Sequence, residues 1–129
     1  MPVLSLSHYN LRSEREQMEV LKDFYCHYVG LRVGPRAALN SVGYWLYAGE
    51  EAVLHLSEIR LGEQRQTALK TSFDHVAFNC TDCPTMLHKL QQGEIAYRLA
   101  EIPASEGFPT QQQIFFNDPL GNGIELNFV

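Results

Sequence analysis

The chain reads twice. His8 and His75 lie 67 residues apart, and the same offset carries Tyr9 and Leu11 onto Val76 and Phe78. His55 and Glu125 lie 70 apart, and that offset carries Leu54 and Leu56 onto Ile124 and Leu126, and Trp45 onto Phe115. The larger second offset fits a longer loop in the second half. An internal repeat constrains a fold more than a single motif does, because both copies must bury the same faces of the same supersecondary unit. It predicts two equivalent modules, about residues 1–60 and 72–129, related by a local two-fold axis within one domain.

Local patterning gives each module the same order of elements. Leu4 to Leu11 reads as a strand, and Ser13-x-x-Glu16 has the form of a capping box that opens a helix. Met18, Leu21, Tyr25 and Tyr28 recur at helical spacing up to Gly30. A short extended piece at Leu31-Arg32-Val33 follows, then strands from Val42 to Tyr47 and from Ala52 to Ser57, turned at Ala48-Gly49-Glu50-Glu51. After a polar connection from Glu58 to Thr71 the order restarts. Phe73 to Phe78 alternates as a strand, and Thr81 and Asp82 can cap a helix carrying Met86, Leu87 and Leu90. A piece at Tyr97-Arg98-Leu99 leads into a loop from Pro103 to Pro109. Gln113 to Asn117 and Gly123 to Phe128 form the last hairpin, turned at Asp118-Pro119-Leu120-Gly121-Asn122. The fold class is α+β, two βαβββ modules.

Composition narrows the partners. The 129 residues are 45% apolar and 19% charged, a globular mixture rather than a disordered one. The formal charge is −5, with no Lys/Arg run, so neither nucleic acid nor a membrane surface is an expected partner. The N-terminus has no secretory pattern and no stretch of eighteen apolar residues occurs, which points to a soluble cytoplasmic protein. Three cysteines make no disulfide framework. Cys80 and Cys83 form a C-x-x-C pair that reads as two unpaired thiols, or as a redox pair if a helix N-terminus lowers the Cys83 pKa.

Strand alternation then gathers the chemistry. If Leu54 and Leu56 point one way, His55 points the other, and the same rule sets Glu125 against Ile124 and Leu126. His8 and His75, at equivalent places, can face the same way. Three imidazoles and one carboxylate about a two-fold axis suit a divalent metal such as iron, nickel, zinc or manganese, one ion per chain. His27 and His88 fall on the helices, outside the repeat, and read as solvent-facing. Trp45 and Phe115 each precede a site residue by ten positions across a short hairpin, and read either as pocket walls or as core aromatics.

The stretch Gln113 to Leu126, with Phe115-Phe116-Asn117-Asp118-Pro119-Leu120-Gly121-Asn122-Gly123-Ile124-Glu125-Leu126 at its heart, resembles the closing hairpin of the vicinal oxygen chelate superfamily. That superfamily includes glyoxalase I, bleomycin resistance proteins and extradiol dioxygenases. Phe73-Asp74-His75-Val76-Ala77-Phe78 is similar to the strand opening its second module. The resemblance implies a cupped mixed sheet around a metal, commonly in a homodimer, and places His8, His75 and Glu125 at metal-ligand positions. His55 falls where glyoxalase I has a glutamate, which makes Glu125 the expected catalytic base, and Arg12 matches a position that helps hold glutathione.

Three activities follow from the resemblance: a metal-dependent, glyoxalase-like lyase or isomerase acting on a small substrate chelated through adjacent oxygens, an Fe(II) extradiol-type dioxygenase, and a non-catalytic binding protein for drugs. The dioxygenases resemble one another in a tyrosine about ten residues before the glutamate, where this chain has Phe115. A drug-binding cleft has no need of four metal-donor groups at repeat-related positions. The lyase or isomerase reading is the expectation.

Overall fold

The same elements recur in the same order in each half, because each half repeats the same apolar alternation. The computed structural model describes residues 4–35, 42–65 and 72–128. The first half forms β1 (Tyr9–Ser13), α1 (Arg15–Phe24) prolonged by a π-helical turn (Tyr25–Val29), β2 (Arg32–Gly34), β3 (Gly43–Ala48) and β4 (Glu51–Glu58). The second forms β5 (His75–Cys80), α2 (Cys83–Gln92), β6 (Arg98–Ile102), β7 (Gln111–Asn117) and β8 (Gly123–Phe128). The halves are two compact units, Met1–Thr67 and Ala68–Val129. Each holds a four-stranded mixed sheet, ordered β1-β4-β3-β2 in the first and β5-β8-β7-β6 in the second. This is the α+β, paired βαβββ class expected from the repeat.

The register repeats as well as the order. Tyr9 pairs with Leu54 and Leu11 with Leu56 along the parallel β1–β4 pair, as Val76 pairs with Ile124 and Phe78 with Leu126 along β5–β8. Trp45 lies opposite His55 and Phe115 opposite Glu125 in the antiparallel pairs. Both sequence offsets therefore survive as pairing offsets.

One face of each sheet is apolar and covered. In the first unit Leu46, Leu54 and Leu56 are fully buried, together with Met18, Leu21 and Tyr25 of the helical segment. In the second, Ile114, Ile124 and Leu126 are buried with Leu90 of α2. Burying a side chain of this size stabilises by roughly 1.5–3 kcal/mol. Among the described residues, no helix is long and apolar enough to cross a membrane.

Several boundaries differ from the sequence reading. The first strand starts at Tyr9, where pairing with β4 begins, and leaves Leu4 and Leu6 almost wholly exposed ahead of it. His8 thus sits just before β1. The capping box at Ser13 does not form, because Ser13 still belongs to the sheet, paired with Glu58. Glu14 becomes the N-cap without a side-chain bond, and the Ser13 hydroxyl donates to the Glu14 carbonyl. The fifth strand likewise starts at His75 rather than Phe73. The cap of α2 is as expected: the Asp82 carboxylate accepts from the Thr85 amide at 3.2 Å and from its hydroxyl at 2.7 Å. The connection read from Glu58 to Thr71 lies in part outside the described residues.

Leu56 and Leu126 hold equivalent places and both are fully buried. Leu56→Ala and Leu126→Ala should each lose about 3 kcal/mol in urea unfolding, whereas Leu120→Ala, at an exposed turn position, should stay within about 0.5 kcal/mol. A loss under about 1 kcal/mol at either buried leucine would contradict the shared core plan.

Candidate functional site

The uncovered face of each sheet carries the polar residues, since direct cross-strand partners project to the same side. In the first unit β1 contributes Asn10 and Arg12, β4 His55 and Ser57, and β3 Trp45, with His8 immediately ahead of β1. The Trp45 indole stacks on the His55 imidazole, centroids 4.3 Å apart and planes 7° from parallel. His8 meets Trp45 edge-on at 4.6 Å and lies 6.4 Å from His55 between ring centroids. Trp45 therefore lies on the face of the candidate residues, not under the helix.

Arg12 stands two residues beyond His8's neighbour Asn10 on this face. Its Nε donates to Ser57 Oγ at 3.0 Å, and its Nη1 pairs with Glu63 Oε1 at 2.9 Å. Glu63 also accepts from the Arg60 amide and pairs with Arg65. These contacts hold its carboxyl below the usual range, the Arg60 amide foremost.

The second unit has the same plan with different chemistry. His75 and Gly123 pair at the end of β5–β8, Glu125 lies across from Phe115, and Phe115 lies across from Arg98. His75 Nε2 is 3.8 Å from Glu125 Oε1, while its Nδ1 is 2.7 Å from Asp74 Oδ2. The Asp74 bond, assisted by the Glu125 charge and opposed by partial burial, raises the His75 pKa. Phe115 meets His75 edge-on at 6.4 Å, and the Arg98 guanidinium lies 4.2 Å over the Phe115 ring. Gly123 is required here: a Cβ would run into the Asp74 carbonyl oxygen and stand 3.0 Å from His75 Cβ.

The donor chemistry fits a cation. Ser7 Oγ lies 3.0 Å from His8 Nδ1, so in both units the residue before the histidine occupies Nδ1. An imidazole oriented in this way offers its other nitrogen, as ligating histidines do. The 3.8 Å between His75 Nε2 and Glu125 Oε1 is within the span of two donors each about 2.1 Å from one ion. Within each unit the described residues contribute a pair, and among them no cluster of three or more histidine, cysteine, aspartate or glutamate side chains forms a metal site.

Elsewhere, His27 and His88 are exposed on their helical segments, as expected. The cysteines are free thiols. Cys83 does open α2, but burial and the neighbouring Asp82 charge push its pKa up, and burial does the same to Cys80. The lowering expected from a helix N-terminus is therefore overruled. Sequence reasoning missed Ser7, Asp74, Gly123, Glu63 and Arg98. The 67-residue offset does carry Ser7 onto Asp74, a signal that was available. Arg98 has no equivalent under either offset.

No protein-family model matches the chain. It is 31% identical over 127 residues to Glyoxylase I 4 of Arabidopsis thaliana, a match spanning 95% of this chain and 69% of that protein. Its structure is similar to a glyoxylase/bleomycin resistance protein/dioxygenase domain from Frankia sp. EAN1pec, with a TM-score of 0.71, 14% identity and 98% of each chain covered. It is also similar to TnmS3, an antibiotic binding protein from Streptomyces sp. CB03234, with a TM-score of 0.64, 19% identity and coverage of 99% and 98%.

Because the folded His75 pKa is raised, the Asp74–His75 pair adds stability fully below the unfolded histidine pKa, and this fades as pH rises through the folded value. Asp74→Asn should lower the titration midpoint of His75, read from its ring resonances in chelator-treated protein. An unchanged midpoint would show that Asp74 does not hold the ring.

Proposed function

The chain belongs to the vicinal oxygen chelate superfamily of glyoxalases, bleomycin resistance proteins and dioxygenases, and from that premise we propose that it is a metal-dependent lyase or isomerase of the glyoxalase type. Its substrate is a small molecule bound through two neighbouring oxygens. The observation that carries the reading is the donor set at repeat-equivalent positions. Each of His8 and His75 has Nδ1 occupied by the preceding side chain, and Glu125 faces the remaining nitrogen of His75.

In this reading His8, His75 and Glu125 hold one divalent ion per chain, iron, nickel, zinc or manganese, with His55 as a further ligand or as a neighbour in contact with it. When bound, such an ion supplies a Lewis acid that makes the C–H beside a chelated carbonyl more acidic. Glu125 takes that proton on a carboxylate oxygen and returns it. An imidazole bound through its free lone pair has nothing left to accept a proton, so His55 cannot replace Glu125 as base. The neighbour of the base across the strand pair, Phe115, exchanges no proton. Trp45 and Phe115 wall the site and exclude water, and Arg12, fixed by Glu63 and Ser57, orients a polar part of the substrate. The protein works within a single two-module domain, in the cytoplasm, as a homodimer, because sheet edges of this kind are normally paired or covered.

The likeness to an antibiotic binding protein supports a second reading, in which the aromatic ledge of Trp45 and His55 receives a flat ligand and no reaction follows. One experiment separates the readings. Untagged protein, His75→Ala and Glu125→Gln are analysed for metal content, and each is given hemithioacetals with Ni(II) or Zn(II), or catechols and oxygen with Fe(II). The proposal expects about one ion per wild-type chain, loss of metal in both variants, and hemithioacetal turnover reduced by at least about a hundredfold in Glu125→Gln. Unchanged metal in both variants would refute the ligand assignment. Ring cleavage with oxygen uptake would establish the dioxygenase, and tight drug binding without any turnover the carrier. Sedimentation velocity at micromolar concentration should return a two-chain species, and a single-chain species would refute the dimer.

A further inference from the structure

The second unit contains a cavity of about 530 Å³ lined in part by Asp74, His75, Tyr97, Arg98, Phe115 and Asn117. That volume is within the range that receives small organic ligands. Arg98 is its cationic wall, and like Arg32, which lies over Tyr47, it differs from three other described arginines that are held in ion pairs. Arg12, Arg15 and Arg65 each reach a carboxylate within 3.0 Å. Arg98 makes no ion pair among the described residues, and its guanidinium carbon instead stands 4.2 Å from the centroid of the Phe115 ring. An aromatic ring attracts a guanidinium through its face without using up the N–H donors, which remain available to an oxyanion.

The register sets where that edge lies. Arg98, Phe115 and Glu125 are successive direct partners across β6, β7 and β8, so all three project from one face. Two strand spacings, about 10 Å, separate the backbones of Arg98 and Glu125, with the Phe115 ring between them. A ligand gripped at the His75–Glu125 end and lying across that ring would present its far end to Arg98. We propose that Arg98 binds an anionic group of the substrate, a carboxylate or a phosphoryl group, and so selects small organic acids. This deepens the reading above and rests on it for the gripped end of the molecule.

The charges nearby permit this. Asp74 also lines the cavity, where its Oδ2 is held by His75 Nδ1 at 2.7 Å and its side chain is otherwise turned to solvent. Glu101, the next charged residue along β6, falls on the opposite face by strand alternation. Glu125 lies at the far end, across Phe115. A guanidinium with uncommitted donors pairs with planar oxyanions through two parallel hydrogen bonds, which a lysine ammonium does not reproduce.

The test uses the full chain, as purified and after treatment with chelator, titrated at low ionic strength with pyruvate and separately with inorganic phosphate. Affinity is read from the binding isotherm, and contact from the arginine Nε–Hε resonances. Wild type and the control Arg15→Gln should bind alike. Arg98→Gln should weaken binding at least about tenfold, and Arg98→Lys by an intermediate amount. The Arg98 resonance should move in wild type, and the tighter of the two anions identifies the group. Equal affinity in wild type and Arg98→Gln, or no binding of either anion by wild type, would overturn the proposal. A chain that holds no metal yet binds anions through Arg98 would remove the metal-dependent reading and leave this one standing. A metal-loaded chain whose anion affinity ignores Arg98 would do the reverse.

Discussion

The parallel pairing of β1 with β4, and of β5 with β8, decides which side chains can meet. A slip of one residue in either ladder would send His55 or Glu125 to the helix side and bring a leucine to the open face. What prevents the slip is the row of buried aliphatics, Leu54 and Leu56 in one unit and Ile124 and Leu126 in the other. Polar groups could not replace them there without losing their hydrogen bonds. The chemistry of the open face thus depends on residues buried beneath the sheet, and the same pairing aligns Trp45 with His55 and Phe115 with Glu125.

Most of that plan is legible in the sequence because alternation and offset are both exact properties of a strand pair. The offsets that join His8 to His75 and His55 to Glu125 reappear as cross-strand partners, residue for residue. Helix starts are less legible. Ser13 has the form of a cap, yet the strand before it competes for the same residue and retains it through Glu58. Side-chain partners outside the alternation are harder still. Nothing local tells that Glu63, on a connection beyond β4, closes on Arg12, or that Arg98 lies over Phe115, because each pairing depends on where the chain returns in space. The Cys83 thiol shows competing physics: its place at the start of a helix is as the sequence suggests, but burial and Asp82 outweigh the helix end.

The two units also show how one scaffold acquires unlike halves. On the open face of the first, stacked aromatic and imidazole rings dominate, and the arginine is engaged by a carboxylate. On the other, a carboxylate replaces the imidazole at the equivalent place, and the arginine rests on an aromatic ring. Substitutions on the open face leave the buried rows unchanged, so each half can alter its chemistry without altering its fold.

Gly123 draws a line between what such a sequence can and cannot announce. The obstacle to a side chain at this position includes the backbone oxygen of Asp74, and a backbone oxygen remains whatever residues flank it. A descendant that exchanged His75 and Glu125 for inert residues would still be obliged to keep this glycine, along with the turn that Asp118 closes by accepting from the Leu120 and Asn122 amides. The closing hairpin is therefore a record of architecture that outlives its chemistry, and two chains sharing it can be kin without sharing a reaction.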